Sequence, residues 1–454
     1  MNKLASDFKN KIELIDKFLL IFIILIPFSL ATSIFAADLF GSISGVILIY
    51  IFFKKNISFF KLIKKEIILM TIFYSIILIS LFLSRYLEVS FLPSFFYFRY
   101  FLISLSIFYL LNKYDFISKI FFYSILFSIL IVILDGIFQY IFGFNLFGYE
   151  IANTTSLDDT AIHWITGFFD EEKKLGSYLV RFFPLVLSLI YLGNKKNYVH
   201  LDKILFMLIG IIVFLTSERT ALFLYLVILI SYILISKHKF LLLFSSILTF
   251  IILFSINPNL KDKIIDFTAR QVFSDYVLNE DVNRSADDAY IEKKIRFYSI
   301  EHENLAYTSL LIFRQNFLFG AGVKSFYHEC NRLKNLTTEA LSLNSNTRGN
   351  KLVCSTHPHS TYLQILSDIG IFGFIIILYF LYYISLTYFK ILFKGNQIDN
   401  NLKSYYFINL GILVNLFPLI PSGNIFNNWI CLTISCSFGI WLFLKNKMSM
   451  ENKI

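Results

Sequence analysis

The sequence predicts an all-α, polytopic membrane protein with about twelve transmembrane helices and one large outer loop. Three observations carry this. The chain of 454 residues is 57% hydrophobic and 16% charged, with 54 Phe. Soluble domains are roughly 45–50% apolar and about 25% charged, and one aqueous core cannot hide this much apolar surface. The bilayer is therefore the solvent for most of the chain. The apolar residues also come in runs near the roughly 17–25 residues that cross a membrane. Finally, lysines recur in alternate connections.

In order, the runs are Phe18–Phe35, Leu39–Phe53, Ile67–Leu83, Phe96–Leu111, Ile120–Phe142, Tyr178–Leu192, Ile204–Thr216, Ala221–Ile235, Phe240–Ile256, Ile369–Phe389, Tyr406–Ile420 and Trp429–Leu444. The first is followed by Ala36-Ala37, as a cleaved signal peptide would be, but further runs come at once and a retained anchor is expected. Lys54 and Lys55, Lys113 and Lys119, Lys195 and Lys196, Lys237 and Lys239, Lys390 and Lys394, and Lys445 and Lys447 mark every second connection. That positive-inside pattern predicts both termini in the cytoplasm. The formal net charge of +10 is then mostly topology. No nucleic-acid partner is expected, because the basic residues are dispersed and form no single folded face.

Three units follow. Residues 1–256 hold nine helices and a first outer loop, 143–176. Residues 257–368 form the large outer loop, and 369–454 hold the last three helices. Long loops between helices are usually functional. Five of the seven histidines fall in these two loops: His163, His302, His328, His357 and His359. Cys330 and Cys354 share the large loop, and an oxidising compartment predicts a disulfide between them. Two free thiols, or a zinc site with His357 and His359, are the alternatives, the latter lacking paired spacing. Cys431 and Cys436, in the last run, read as small packing residues. The acid pairs Asp158-Asp159 and Asp287-Asp288 lack the ligand count of a Ca²⁺ loop. No Walker or dinucleotide glycine pattern occurs, so no cofactor is expected.

The stretch "CSTHPHSTYLQILSDIGIFG" (Cys354–Gly373) runs from two histidines into an apolar segment. After His359-Ser360 come nine residues, then Gly370, Ile371, Phe372 and Gly373. This resembles the signature of O-antigen ligases and the related O-antigen polymerases, in which it closes the large periplasmic loop. "FGAGVKSF", with Gly320 and Gly322, resembles that superfamily's Gly-x-Gly turn, and "SERTA" (Ser217–Ala221) its Ser-x-Arg-Thr turn. "GFFDEEKKLGSYL" and "PSGNIFNNW" resemble its first-loop helix entry and its last outer turn.

The resemblance implies a C-type glycosyltransferase fold in the bacterial inner membrane and a metal-independent, inverting transfer. The donor would be a glycan on undecaprenyl diphosphate. The acceptor would be lipid A–core for a ligase, or another glycan for a polymerase. His359 is the expected base, because a neutral imidazole accepts a proton near neutral pH. His357, tied to it through Pro358, would orient or bind sugar. Arg219 has almost no loop to hold it between two apolar runs, which marks function, and its guanidinium fits diphosphate oxygens. A second loop arginine is implied, Arg296 ahead of Arg314, with His302 nearby. Arg99 and Arg181, at predicted outer helix ends, are further phosphate contacts or anchors. Outside this class, a transporter or flippase would show repeated halves with interrupted helices, and no such repeat is visible. A scaffold without catalysis is the remaining reading.

Overall fold

The computed structural model describes residues 12–54, 58–155, 161–193, 200–236, 239–256, 275–277, 291–293, 299–341, 352–395 and 398–451. Arg296, Asp158-Asp159 and Asp287-Asp288 lie outside them.

Each of the twelve apolar runs falls on a helix. They are α1 (Leu14–Thr32), α2 (Ile34–Lys54), α3 (Lys64–Leu83), α5 (Phe98–Lys113), α6 (Ile117–Phe142), α7 (Leu175–Leu192), α8 (Leu201–Thr216), α9 (Arg219–Ile235), α10 (Lys239–Ile256), α13 (Thr361–Leu392), α14 (Asn400–Asn415) and α15 (Asn428–Met450). A short α4 (Leu87–Phe95) leads into α5, and α11 (Ile300–Gln315) and α12 (Phe326–Leu341) lie in the large loop. Two 3-10 turns (Ser58–Ile63 and Gly167–Phe169) and two antiparallel strand pairs complete the described elements: β1 (Ala152–Thr155) with β2 (Ala161–Trp164), and β3 (Asp275–Val277) with β4 (Ile291–Lys293).

The expectation of twelve spans is met in part. Among the described residues, eight helical segments are long and apolar enough to cross a membrane. The 16-residue α8 and α14 and the 17-residue α9 rise about 24–26 Å, short of the roughly 30 Å hydrocarbon core. Two run boundaries also move. The run Tyr406–Ile420 stops being helical at Asn415, ahead of Pro418 and Pro421. The helix predicted to start at Ile369 starts at Thr361 and is broken at Gly370.

α7 is the central helix. Every residue from Tyr178 to Ile190 is buried, packed against α6, α8, α9 and α14. The periphery is the reverse: Phe53 is 83% exposed and Phe35 78%. Such faces on many helices would aggregate in water but are ordinary in lipid.

Polar residues gather at the two ends of the bundle. At one end Lys113 pairs with Asp16 at 2.6 Å, Lys445 with Glu66, and Asn401 donates to Glu451. These come from the lysine-bearing connections. At the other end the intervening connections meet: Ser84 donates to the Ala321 carbonyl at 2.7 Å, Arg99 to Asp38 at 3.0 Å, and Gln364 to Asn424 at 2.8 Å. The alternation read from the lysines is thus the alternation of the helices.

Candidate active site

The signature spacing has a backbone cause. His359 and Ser360 precede a short helix, Thr361–Ile369, which is the first part of α13. Gly370 then takes φ +70° and ψ −167° and breaks it. That region of backbone space is essentially open to Gly alone. The break exposes main-chain groups, which pair with the loop segment before α12. Ala321 N–H donates to Ser367 O (2.8 Å), Gly322 N–H to Asp368 O (3.0 Å), and Ile371 N–H to Phe317 O (2.9 Å). Gly320, at φ +72°, lies so close that a Cβ would enter the Asp368–Ile369 backbone, and one on Gly370 would enter that of Leu318. The two glycine motifs are the two sides of one contact. Gly373 lies below the break, where a Cβ would meet the Ile369 side chain.

The short helix turns one face inward at i, i+3 and i+7. Thr361 Oγ1 meets Ser422 Oγ at 2.9 Å. Gln364 Oε1 accepts from Ile425 N–H (3.0 Å) while its Nε2 donates to Asn424 Oδ1 and Asp368 Oδ2. Asp368 accepts from Lys324 N–H at 3.1 Å. Ser422 N–H donates to the His359 carbonyl at 2.9 Å. The turn at residues 422–425 and the glycine turn are therefore clamped to the helix that His359 precedes.

His359 itself has φ +50°. A non-Gly residue in this region is uncommon and strained, though His is among the more tolerant. Its ring lies 4.1 Å from that of His357 and 5.7 Å from that of His302, centre to centre. His302 reaches the site from the first turn of α11, where Ser299 caps the helix and its Oγ lies 2.6 Å from His302 Nδ1. His357 Nδ1 meets Thr356 Oγ1 at 3.0 Å, and its buried Nε2 has no hydrogen bond of normal geometry, although the Ser422 backbone is close enough to act on it.

All three imidazoles are held below their ordinary pKa, chiefly by burial. For His359 the charge of His302 adds to this and Glu301 opposes it. His357 is pushed down to about 4. For His302, Glu301 opposes the shift and the Arg219 guanidinium adds to it. The structure thus brings together His302, His357, His359 and Arg219, with the neutral imidazole favoured at each His at neutral pH.

Arg219 is the first residue of α9, exposed at its N-terminus, where the helix dipole also favours an anion. Its neighbour Glu218 does the opposite work. Glu218 is buried, and its carboxylate accepts from Gly176 N–H (2.8 Å), Ser177 N–H (3.0 Å) and Ser177 Oγ (2.9 Å), capping α7. Burial pushes this carboxyl up, and these bonds and Arg181 draw it back, to about 7. Sequence reasoning passed over Glu218, although an acid between two apolar runs is the signal that marked Arg219.

The other named residues are placed as follows. Arg181 is not at a helix end; it lies within α7, buried, and donates to Asn415 Oδ1 at 3.0 Å. Arg99 is engaged by Asp38, by Tyr100 OH at 2.8 Å and by Asn428, the pattern of an anchor. Arg314 is exposed in the last turn of α11, about 18 Å along the axis from His302, so one diphosphate cannot bridge Arg314 and the histidines. His163 is described only in its backbone, and His328 packs beside Tyr86. Cys330 and Cys354 are joined in a disulfide, so they are not free thiolates for the zinc alternative. It staples a small separate core of Leu305, Ile312, Phe326 and Leu333.

No curated protein matches the chain. Residues 204–378, which run from α8 through the large loop into α13, match the family model described as O-antigen ligase. That stretch, which holds Arg219, the three histidines, both glycine motifs and the disulfide, is similar to the O-antigen ligase family.

Proposed function

We propose that this protein transfers a glycan from undecaprenyl diphosphate to an acceptor sugar hydroxyl at the periplasmic face, as an O-antigen ligase does. The acceptor oxygen attacks the anomeric carbon. Its proton passes to His359, and the bond from that carbon to the diphosphate oxygen breaks. The diphosphate leaves as an anion against Arg219, with Arg296 as the second loop arginine. One direct displacement inverts the anomeric centre, and the step needs no metal. His357 and His302 shape the sugar site.

The observation that carries this reading is the convergence of His359, held neutral by burial, with Arg219 at one end of the bundle. A base and an anion-binding cation at one site, here linked through His302, are what displacement of a diphosphate requires. The test is the surface-glycan profile of a deletion strain complemented with wild type or with His359→Asn. Loss of glycan from lipid A–core, with long undecaprenyl-linked chains accumulating, assigns a ligase. Single repeat units on lipid A–core assign a polymerase. An unchanged ladder with the variant would overturn the mechanism.

A further inference from the structure

A groove of about 950 Å³ lies between α3, α13 and α15, and its two ends differ in character. Its walls are apolar, with Phe73 from α3, Ile377 and Phe380 from α13, and Ile434 and Phe438 from α15. At the lysine-bearing end of the bundle the lining turns ionic. It is made there by Lys61 in the 3-10 turn before α3, by Lys64, Lys65 and Glu66 in the first turn of α3, and by Lys445 of α15. Glu66 pairs with Lys445. Lys61, Lys64 and Lys65 are exposed and have no acidic partner among the described residues. The Tyr383 and Trp441 rings lie 4.8 Å and 5.2 Å from Lys445 Nζ, where amphipathic rings mark a headgroup level. The groove opens sideways: Ile68, Ile72 and Tyr379 on its rim are exposed, and α13 is the least buried of the eight candidate spans. Orientation in the membrane asks for lysines at this end, but not for a cavity above them.

Charge and depth choose the occupant. From Lys445 to Ile434 the α15 wall rises about 16–17 Å at roughly 1.5 Å per residue. Half of a roughly 30 Å hydrocarbon core is about 15 Å, so the wall is one leaflet deep. A soluble phosphate would satisfy the lysines and leave this wall bare. A zwitterionic lipid would bring its own cation among three lysines that lack an anion. Basic pockets between spanning helices suit anionic headgroups.

We propose that this groove binds an anionic phospholipid from the leaflet at the lysine-bearing end. Its phosphate rests on Lys61, Lys64 and Lys65, and its acyl chains lie along the wall to Ile434. The site is separate from the reacting groups, which lie at the other end of the bundle, and its lipid is not consumed. The lipid packs the flank that α13 leaves open, so its binding stabilises the fold. The assignment stands whether or not the transfer reading does.

The test titrates the delipidated full chain in detergent with phosphatidylglycerol or phosphatidylcholine of the same acyl chains, with bound lipid counted by native mass spectrometry. Wild type should prefer phosphatidylglycerol by more than about tenfold, and that lipid should raise its melting temperature. Lys61→Gln, Lys64→Gln and Lys65→Gln together should bring the two lipids within about twofold of each other. Lys54→Gln, Lys390→Gln and Lys394→Gln together remove as much charge from the same end, outside the groove, and should leave the preference intact. Ile377→Trp, which obstructs the wall, should weaken phosphatidylglycerol binding. No preference in wild type, equal loss in the two triple variants, or unaltered binding to Ile377→Trp would overturn the assignment. So would displacement by glycerol phosphate or undecaprenyl phosphate as readily as by phosphatidylglycerol, or a dimer held together by the three groove lysines.

Discussion

At φ +50° His359 occupies backbone space that Asn tolerates well and Ala does not. His359→Asn therefore removes the base with little change in backbone preference. The transfer rate should fall roughly 10²–10⁴-fold, with unchanged yield and melting temperature in detergent; a drop in yield instead would assign His359 to structure. The pH profile carries a second expectation. Burial and His302 depress the His359 pKa and Glu301 raises it, the His357 ring lies 4.1 Å away, and the Arg219 guanidinium acts on the neighbouring His302. The reactive form is neutral, so the rate should rise with pH through a midpoint below 6.5. Glu301→Gln should move that midpoint lower still, and a move upward would contradict the assignment. At this scale His359 was singled out by its spacing to Gly370 and Gly373, and Arg219 by its place between two apolar runs. Glu218 and Gln364 were not, since their roles are to bond backbone N–H groups from segments distant in sequence.

The short helix before Gly370 is the element that sets the site. Its polar residues Gln364, Ser367 and Asp368 are wholly buried, yet in sequence they resemble a loop, which is why the run was expected to begin at Ile369. The break was invisible to periodicity, because the conformation at Gly370 is imposed by main-chain pairing with residues 317–322. Gly370→Ala should introduce about 1–3 kcal/mol of backbone strain, in addition to the clash with Leu318. Thermal unfolding of the purified protein should show the loss together with inactivity; wild-type melting would contradict the contact described. The disulfide acts on a neighbouring element. Its closure of 24 residues should contribute on the order of 3 kcal/mol to the α11–α12 unit. Paired Cys330→Ser and Cys354→Ser should therefore raise hydrogen exchange in α11 and α12 while leaving α7 protected. Unchanged exchange would show that the small core holds alone.

For the molecule as a whole, composition and lysine spacing were enough to read the bundle and its two polar ends, because both follow from solvation and not from packing. The number of complete crossings was not legible: of the four apolar helices outside the eight, α8, α9 and α14 are short and α10 has 18 residues, and the α7–α14 contact covers what lipid would otherwise meet. Sidedness is open to direct measurement. Cys431 and Cys436 are buried and the other two cysteines are bonded to each other, so the native background to thiol labelling is low. A cysteine at Thr356 should react with an impermeant maleimide in intact spheroplasts, and one at Ser449 only after lysis. The reverse result would invert the topology.

The clamp on His359 and Gln364 comes from residues 422–425, near the end of the chain. A ribosome delivers these after the histidines and Arg219. On the proposed mechanism a chain made only that far holds the proposed base and arginine but not the brace that aligns them, and it should stay silent toward a lipid-linked glycan until α15 is in place. A chain stopped after α13 should be inserted and inert, and supplying residues 398–454 as a separate piece should switch it on.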